Sequence, residues 1–354
     1  MKYLICGSLW NSDCCKSGEE FQAGRVSGAR EFVMSRFGWV LFFATIGFVT
    51  GTAGSANAQG FDLYFQGPKV CQECHEEEYK VWERSVHGTG FRTIHRRKDV
   101  SAKDILAAEG GEKNIRKNDT CLLCHFTPSQ ASFDAPTNIN AGPSCETCHG
   151  ASSIWMPIHS DYGGKDVKKE QETKEHKQER ILASSDAGMI WPSQLFDIAE
   201  NCMFCHGMTN EEYDARTLKN MIEAGHPVRG NFELVLYSQG SVRHRFYDPA
   251  DPKNNLEMTP AQLARMFVTG HAVGFVKAHS AKDRIPTKKY VEAQQERIAA
   301  ATRMLEAIKG KVPLAAELLA NPRAGIARKL VASIKDMDLH AEVKDLLPDP
   351  KDYK

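Results

Sequence analysis

Cys71-Gln72-Glu73-Cys74-His75 opens a pattern that the chain repeats three more times. The copies are Cys121-Leu122-Leu123-Cys124-His125, Cys145-Glu146-Thr147-Cys148-His149 and Cys202-Met203-Phe204-Cys205-His206. They take eight of the 11 cysteines, and the other three, Cys6, Cys14 and Cys15, all precede residue 16. Cys-x-x-Cys alone serves as a redox disulfide or as half of a zinc site. Neither use needs a histidine directly after every pair. Covalent attachment of haem c does. Two thiols add across the vinyl groups on one porphyrin edge, the two-residue spacer sets their separation, and the next histidine reaches the iron. At ordinary composition one such pentapeptide arises by chance in roughly one chain in a hundred, so four accidental copies are negligible. The motifs therefore predict four covalently bound haem c groups. Their thioether positions are Cys71, Cys74, Cys121, Cys124, Cys145, Cys148, Cys202 and Cys205, and their proximal iron ligands are His75, His125, His149 and His206.

Composition narrows the class further. The chain has 354 residues, 45 Lys+Arg against 45 Asp+Glu, 42% hydrophobic and 25% charged residues. These values exclude a polytopic membrane protein and a disordered chain. Zero net charge argues against nucleic acid as a partner, since its binders carry a basic excess.

The N-terminal part reads as an export signal. Met34-Ser35-Arg36 begins a basic segment, the apolar run Trp39–Val49 follows, and small residues lead to Ala56-Asn57-Ala58. That is the layout of a secretory signal peptide over residues 34–58. The run is short of the roughly 20 residues that span a bilayer, so no stable membrane span is expected after cleavage. Residues 1–33 have no place in that layout, and translation is expected to start at Met34. The exported product is expected in the periplasm, or onward at the cell surface. All eight of its cysteines would lie in the four motifs, with none over for a structural disulfide. Leu63-Tyr64-Phe65-Gln66-Gly67 resembles part of a protease-tag site, a likeness read as coincidence.

Nine histidines lie outside the motifs: His87, His95, His159, His176, His226, His244, His271, His279 and His340. Six-coordinate irons would take four of them as distal ligands, closing each iron to substrate and favouring electron transfer. The segment 76–85 reads as a helix. Twelve residues of helix span about 18 Å, so His87 is expected to serve a haem other than that of His75. His159, in apolar Trp155-Met156-Pro157-Ile158-His159, His226, in Gly225-His226-Pro227, and His244 complete the distal candidates. Each taken alone could equally be a hydrogen-bonded or surface histidine. His176 sits in a Lys/Glu run read as solvated. His95 is ambiguous, His340 is left to the tail, and His271 and His279 are reserves.

The order of motifs resembles the tetrahaem cytochrome c-554 family. The likeness rests on Cys71-x-x-Cys74-His75 followed by Tyr79, Trp82, Ser85 and His87, and on Cys145-Glu146-Thr147-Cys148-His149-Gly150. It continues through Gly225-His226-Pro227, Phe232-Glu233-Leu234 and His244, covering about residues 69–250. The resemblance implies a mostly helical fold around closely packed haems, acting as an electron shuttle near nitrogen or other anaerobic respiratory enzymes. It also implies that one haem can be five-coordinate. The charged insert at 160–190 and the stretch after His244 depart from the pattern.

The expected fold class is mainly α, with helices and long loops wrapped around four haems over residues 59–285 and a C-terminal helical extension over 286–354. Residues 128–143, rich in Pro, Ser, Asn and Gly, read as a loop. Phe232–Tyr237 reads as a strand or a helical turn. Val291, Ile298, Met304, Leu305 and Ile308 recur at helical spacing up to Gly310, and two shorter helices are expected at 314–319 and 326–334.

The first functional reading is a periplasmic carrier that moves electrons by haem-to-haem hopping between respiratory redox partners such as quinol-linked oxidoreductases. Arg96-Arg97-Lys98 and Arg243/Arg245 would pair with propionates or face a partner. A second reading is an oxidoreductase with one open haem acting on a small nitrogen species. All four motifs keep histidine, where multihaem reductases often alter the catalytic motif, which favours the carrier. A third is a filament-forming cytochrome, which would need a distal histidine donated between subunits.

Overall fold

Glu76-Glu77-Glu78, directly after the first motif, starts a helix because three carboxylates sit at the positive end of the helix dipole. In the computed structural model, which describes residues 63–96, 98, 100–244 and 255–354, that helix is α2. Residues 1–33, expected to precede the true start of translation, and the expected export signal (34–58), together with Arg97 and Arg245, lie outside the described residues.

The chain is mainly helical. α1 (Pro68–Gln72) leads into the first motif, α2 spans Glu76–Arg84 and α3 spans Val86–Thr93. Ser85 divides α2 from α3: its backbone is extended, and its hydroxyl accepts from the Gly88 N–H at 3.2 Å as the N-cap of α3. α4 (Ala102–Glu109) is capped by Ser101 and stops at left-handed Gly110. α5 (Asp119–His125) carries the second motif and starts at Asn118, whose side chain accepts from the Cys121 N–H.

The segment 128–143 is not wholly loop. β1 (Thr127–Ser129) pairs antiparallel with β2 (Asn138–Ala141), with Pro128 opposite Ile139. Short strands of this composition give no periodicity to read. α6 (Cys145–His149) is the third motif itself, and α7 (Trp155–His159) follows it. α8 (Lys174–Asp186) is built from the charged insert, and α9 (Leu195–His206) ends on the fourth motif.

The rest is helical. α10 (Ala215–Glu223) and α11 (Leu234–Ser238) precede a long pair, α12 (Pro260–Ala281) and α13 (Lys288–Ile308). Phe232–Tyr237 thus supplies a helical turn, with Glu233 capping α11. α14 (Pro313–Ala320), α15 (Ala324–Ser333) and α16 (His340–Val343) complete the chain. The expected tail helices at 314–319 and 326–334 correspond to α14 and α15.

Apolar packing is uneven along the sequence. One continuous cluster joins Phe196, Ala199 and Met203 of α9 to α12 (Phe267, Val273, Phe275), α13 (Met304, Leu305, Ile308) and α14–α16 (Leu318, Leu330, Val343). A smaller one gathers Ile105, Met208, Tyr213, Leu218, Met221, Ile222, Ile285 and Tyr290. Neither cluster draws a buried residue from 63–104 or from 106–195. Those stretches are held mainly by polar latches around the motifs. Among the described residues no helix is long and apolar enough to cross a membrane.

Candidate haem-binding site

Each motif sits at a helix terminus, which turns its histidine out of the helix. His125, His149 and His206 are the last residues of α5, α6 and α9, and His75 is the N-cap of α2.

The four motif histidines each face a different histidine from outside the motifs. Ring centroids lie 6.3 Å apart for His75–His159, 6.1 Å for His206–His87, 6.1 Å for His125–His226 and 6.4 Å for His149–His244. A metal ion lies about 2 Å from a ligating imidazole nitrogen, and the ring centre lies roughly 1 Å behind that nitrogen. Two imidazoles on opposite sides of one iron therefore have centroids about 6 Å apart. Each of the four pairs thus has the spacing at which two histidines would hold one haem iron between them. The four distal candidates named from sequence are the four that pair. His87 lies against His206 and not against His75, as the helix length demanded.

Backbone carbonyls orient several of these rings. The Nδ1 of His149 contacts the Ile190 carbonyl at 2.8 Å, that of His244 contacts the Val242 carbonyl at 2.9 Å, and that of His159 contacts the Met156 carbonyl. A ring whose Nδ1–H donates to a carbonyl presents Nε2 as the free lone pair. Burial pushes His125 and His149 down to about 4 and His206 to about 3, and it lowers His87, His159 and His226. These imidazoles stay neutral at physiological pH, the form that binds a metal.

The reserve histidines are engaged otherwise. His271 and His279 pack edge-on against Phe267 and Phe275 of their own helix α12, at 4.4 and 4.5 Å. His176 is not simply solvated: its Nδ1 contacts a Glu172 carboxylate oxygen at 2.9 Å.

The eight thiols are all free cysteines, and they meet across motifs. Cys71 hydrogen-bonds Cys145, which pushes the Cys71 thiol up, with burial adding to it. Cys124 hydrogen-bonds Cys205 and lies 2.7 Å from the Tyr213 hydroxyl. The Asn201 amide donates to the Cys148 carbonyl at 3.1 Å, linking the third motif to the fourth. Attachment positions are thus adjacent in the order first, third, fourth, second.

Several residues that build this site carry no motif signature. Glu146, 1% exposed, accepts backbone N–H bonds from Gln66 (3.0 Å), Gly67 (2.6 Å) and Ser152 (2.8 Å). It ties the approach to the first motif onto the third, and it gives Gln66-Gly67 a structural use. Arg180 grips Glu172 through two bonds, 2.6 and 2.7 Å, and donates to the His159 carbonyl at 2.5 Å. The charged insert therefore anchors a histidine of the first pair. Phe232 stacks on His206 with centroids 4.4 Å apart. Only the aromatic and acidic letters near the motifs hinted at these roles.

Known proteins point the same way. The family described as cytochrome c554 and c-prime matches residues 70–150. Cytochrome c-554 of Nitrosomonas europaea is 23% identical over 159 residues, 44% of this chain and 63% of that protein. The chain therefore spans less than two thirds of that relative's length. No solved structure matches. With its repeated Cys-x-x-Cys-His motifs, the chain resembles the cytochrome c-554 family of c-type cytochromes, electron-transfer proteins that hold haem c covalently.

Proposed function

We propose that the protein is a tetrahaem electron carrier whose four irons are each closed by two histidines: His75 with His159, His125 with His226, His149 with His244 and His206 with His87. The observation that carries this is the set of four opposed imidazole pairs at 6.1–6.4 Å. Haem c supplies the one-electron iron couple. The chain's residues do the remaining work. The eight cysteines would fix the macrocycles, and each histidine pair would hold one iron; burial keeps His87, His125, His149, His159, His206 and His226 in the neutral form that a metal needs. Carbonyls at Ile190, Val242 and Met156 lock ring orientation.

The cross-motif contacts support a path in the order first, third, fourth, second. Its ends would meet external redox proteins, with quinol-linked or respiratory oxidoreductases as the partner class. The export signal at 34–58 and the family resemblance support a periplasmic site of action. A substrate-open iron is disfavoured, because every motif histidine has a ring opposite it. A filament held by shared ligands is disfavoured as well, since all four partners come from the same chain.

The test is reduction of holoprotein matured from the Met34 start, followed by exposure to carbon monoxide. A carrier with four closed irons takes up four electrons per chain and its spectrum does not respond to carbon monoxide. Carbon monoxide binding at one haem would instead support the enzyme reading.

A further inference from the structure

Arg297 of α13 is 3% exposed, and no carboxylate among the described residues lies within ion-pair distance of it. Its Nη1 donates to the Gln294 side chain at 2.6 Å. Its Nη2 donates to the Arg229 carbonyl at 2.8 Å and weakly to the carbonyl of His206 at 3.5 Å. Its Nε has no hydrogen-bond partner among the described residues. Glu296 acts on it electrostatically but lies exposed and forms no ion pair with it. A buried guanidinium without an anion is costly, so it calls for a counter-charge.

The same residue lines a cavity of about 270 Å³ between α12, α13 and the turn before α11. His271, exposed Arg303 and exposed Glu296 line it too, so two guanidinium groups, an imidazole and the Glu296 carboxylate share the space. Phe232, the ring stacked on His206, and Met203, inside the fourth motif, form the wall toward the fourth attachment site. Glu233 also lines it, with its carboxylate held by the N–H groups of Val235 and Leu236. The cavity thus holds two cations against two carboxylates, and its buried cation, Arg297, forms no ion pair with either of them, one side chain away from His206.

We propose that this cavity is a carboxylate-binding site in which Arg297 supplies the buried cation, and that the bound carboxylate with Arg297 sets the potential of the haem ligated by His206 and His87. The second clause rests on the haem reading above. Two sources share the chemistry: a propionate of that haem, or a free small carboxylate. Arg297 is a positioning and tuning residue, since it reaches the ligand through the His206 carbonyl and the carboxylate.

The experiment compares wild-type holoprotein with Arg297→Gln and Arg297→Lys. Haem content by pyridine haemochrome comes first, so a failure of the haem reading shows up separately. Potentiometric titration and calorimetric titration with acetate follow. Removing a nearby cation disfavours the reduced, less positive haem. Arg297→Gln should therefore lower one of the four midpoints while Arg297→Lys leaves it near wild type. No acetate heat in wild type then assigns the site to the propionate. Saturable acetate binding in wild type that disappears in Arg297→Gln assigns it to a free carboxylate. Four unchanged midpoints together with identical acetate heats in both proteins overturn the proposal. If Arg297→Gln does not accumulate, Arg303→Gln at the cavity's exposed side is read the same way, with a smaller shift expected and the same null result overturning it.

Discussion

The rings of His125 and His226 lie 6.1 Å apart, centroid to centroid, although one ends α5 and the other follows the Gly225 turn after α10. Burial holds both imidazoles below their ordinary pKa. His226→Ala should therefore open the second iron alone. The expected result is one high-spin, carbon-monoxide-binding haem and three unchanged ones, read by optical spectra before and after reduction under carbon monoxide.

Arg180 is the hinge of the first pair's support. It binds Glu172 bidentately and the His159 carbonyl as well. Arg180→Met removes the two-bond cation from a buried carboxylate and leaves it only the His176 contact, a loss of up to about 3–5 kcal/mol for such pairs, and frees the turn that carries His159. Urea unfolding should show the destabilisation, and the first haem should become partly high-spin. Arg180→Lys should not restore it, because an ammonium cannot make the two-bond grip.

Glu172 also fixes a pH dependence. The Arg180 guanidinium, with His176, holds its carboxyl down at about 2 despite burial. An unfolded glutamate titrates near 4.3. The folded state thus binds fewer protons between these values, so the stabilisation is complete above about 4.3 and is lost as pH falls toward 2. Unfolding midpoints of the wild type should fall over that window, and those of Glu172→Gln should fall less.

Glu146 accepts three backbone N–H bonds, two from distant Gln66-Gly67 and one from nearby Ser152. Glu146→Ala leaves three buried donors unmatched, at about 1–3 kcal/mol for each unsatisfied group. Thermal melting should drop, and haem loading should fall at the first and third motifs before the others.

Removing the haems should not melt the whole chain. Around the motifs, porphyrin faces would take the place of apolar side chains, so those stretches should unfold without haem. The continuous cluster through α12–α16 does not depend on them. A variant with all eight motif cysteines changed to serine should keep part of its helical circular dichroism, from α12–α16, and lose the rest. Complete loss or full native helicity would both contradict this.

The motifs were legible because covalent attachment fixes residue identity and spacing together. The four histidines that face the motif histidines were legible only as a set. His226 and His244 have no spacing rule to their partners, and three-dimensional closure alone pairs them with His125 and His149. The tail helices could be read from period, since α13 buries one face. The β1–β2 ribbon could not, because three or four residues carry no period. The charged insert misled most: Lys/Glu alternation looks solvated, yet Arg180 and Glu172 are buried in it because they satisfy each other and the His159 carbonyl.

The central claim, four irons each between two histidines of one chain, is tested most directly by electron paramagnetic resonance of the fully oxidised holoprotein with spin quantitation. The account predicts four low-spin ferric haems per chain and no high-spin signal. A stoichiometric high-spin ferric signal, or fewer than four low-spin haems in protein that carries four, would contradict it and show that at least one of the imidazole pairs does not close on iron.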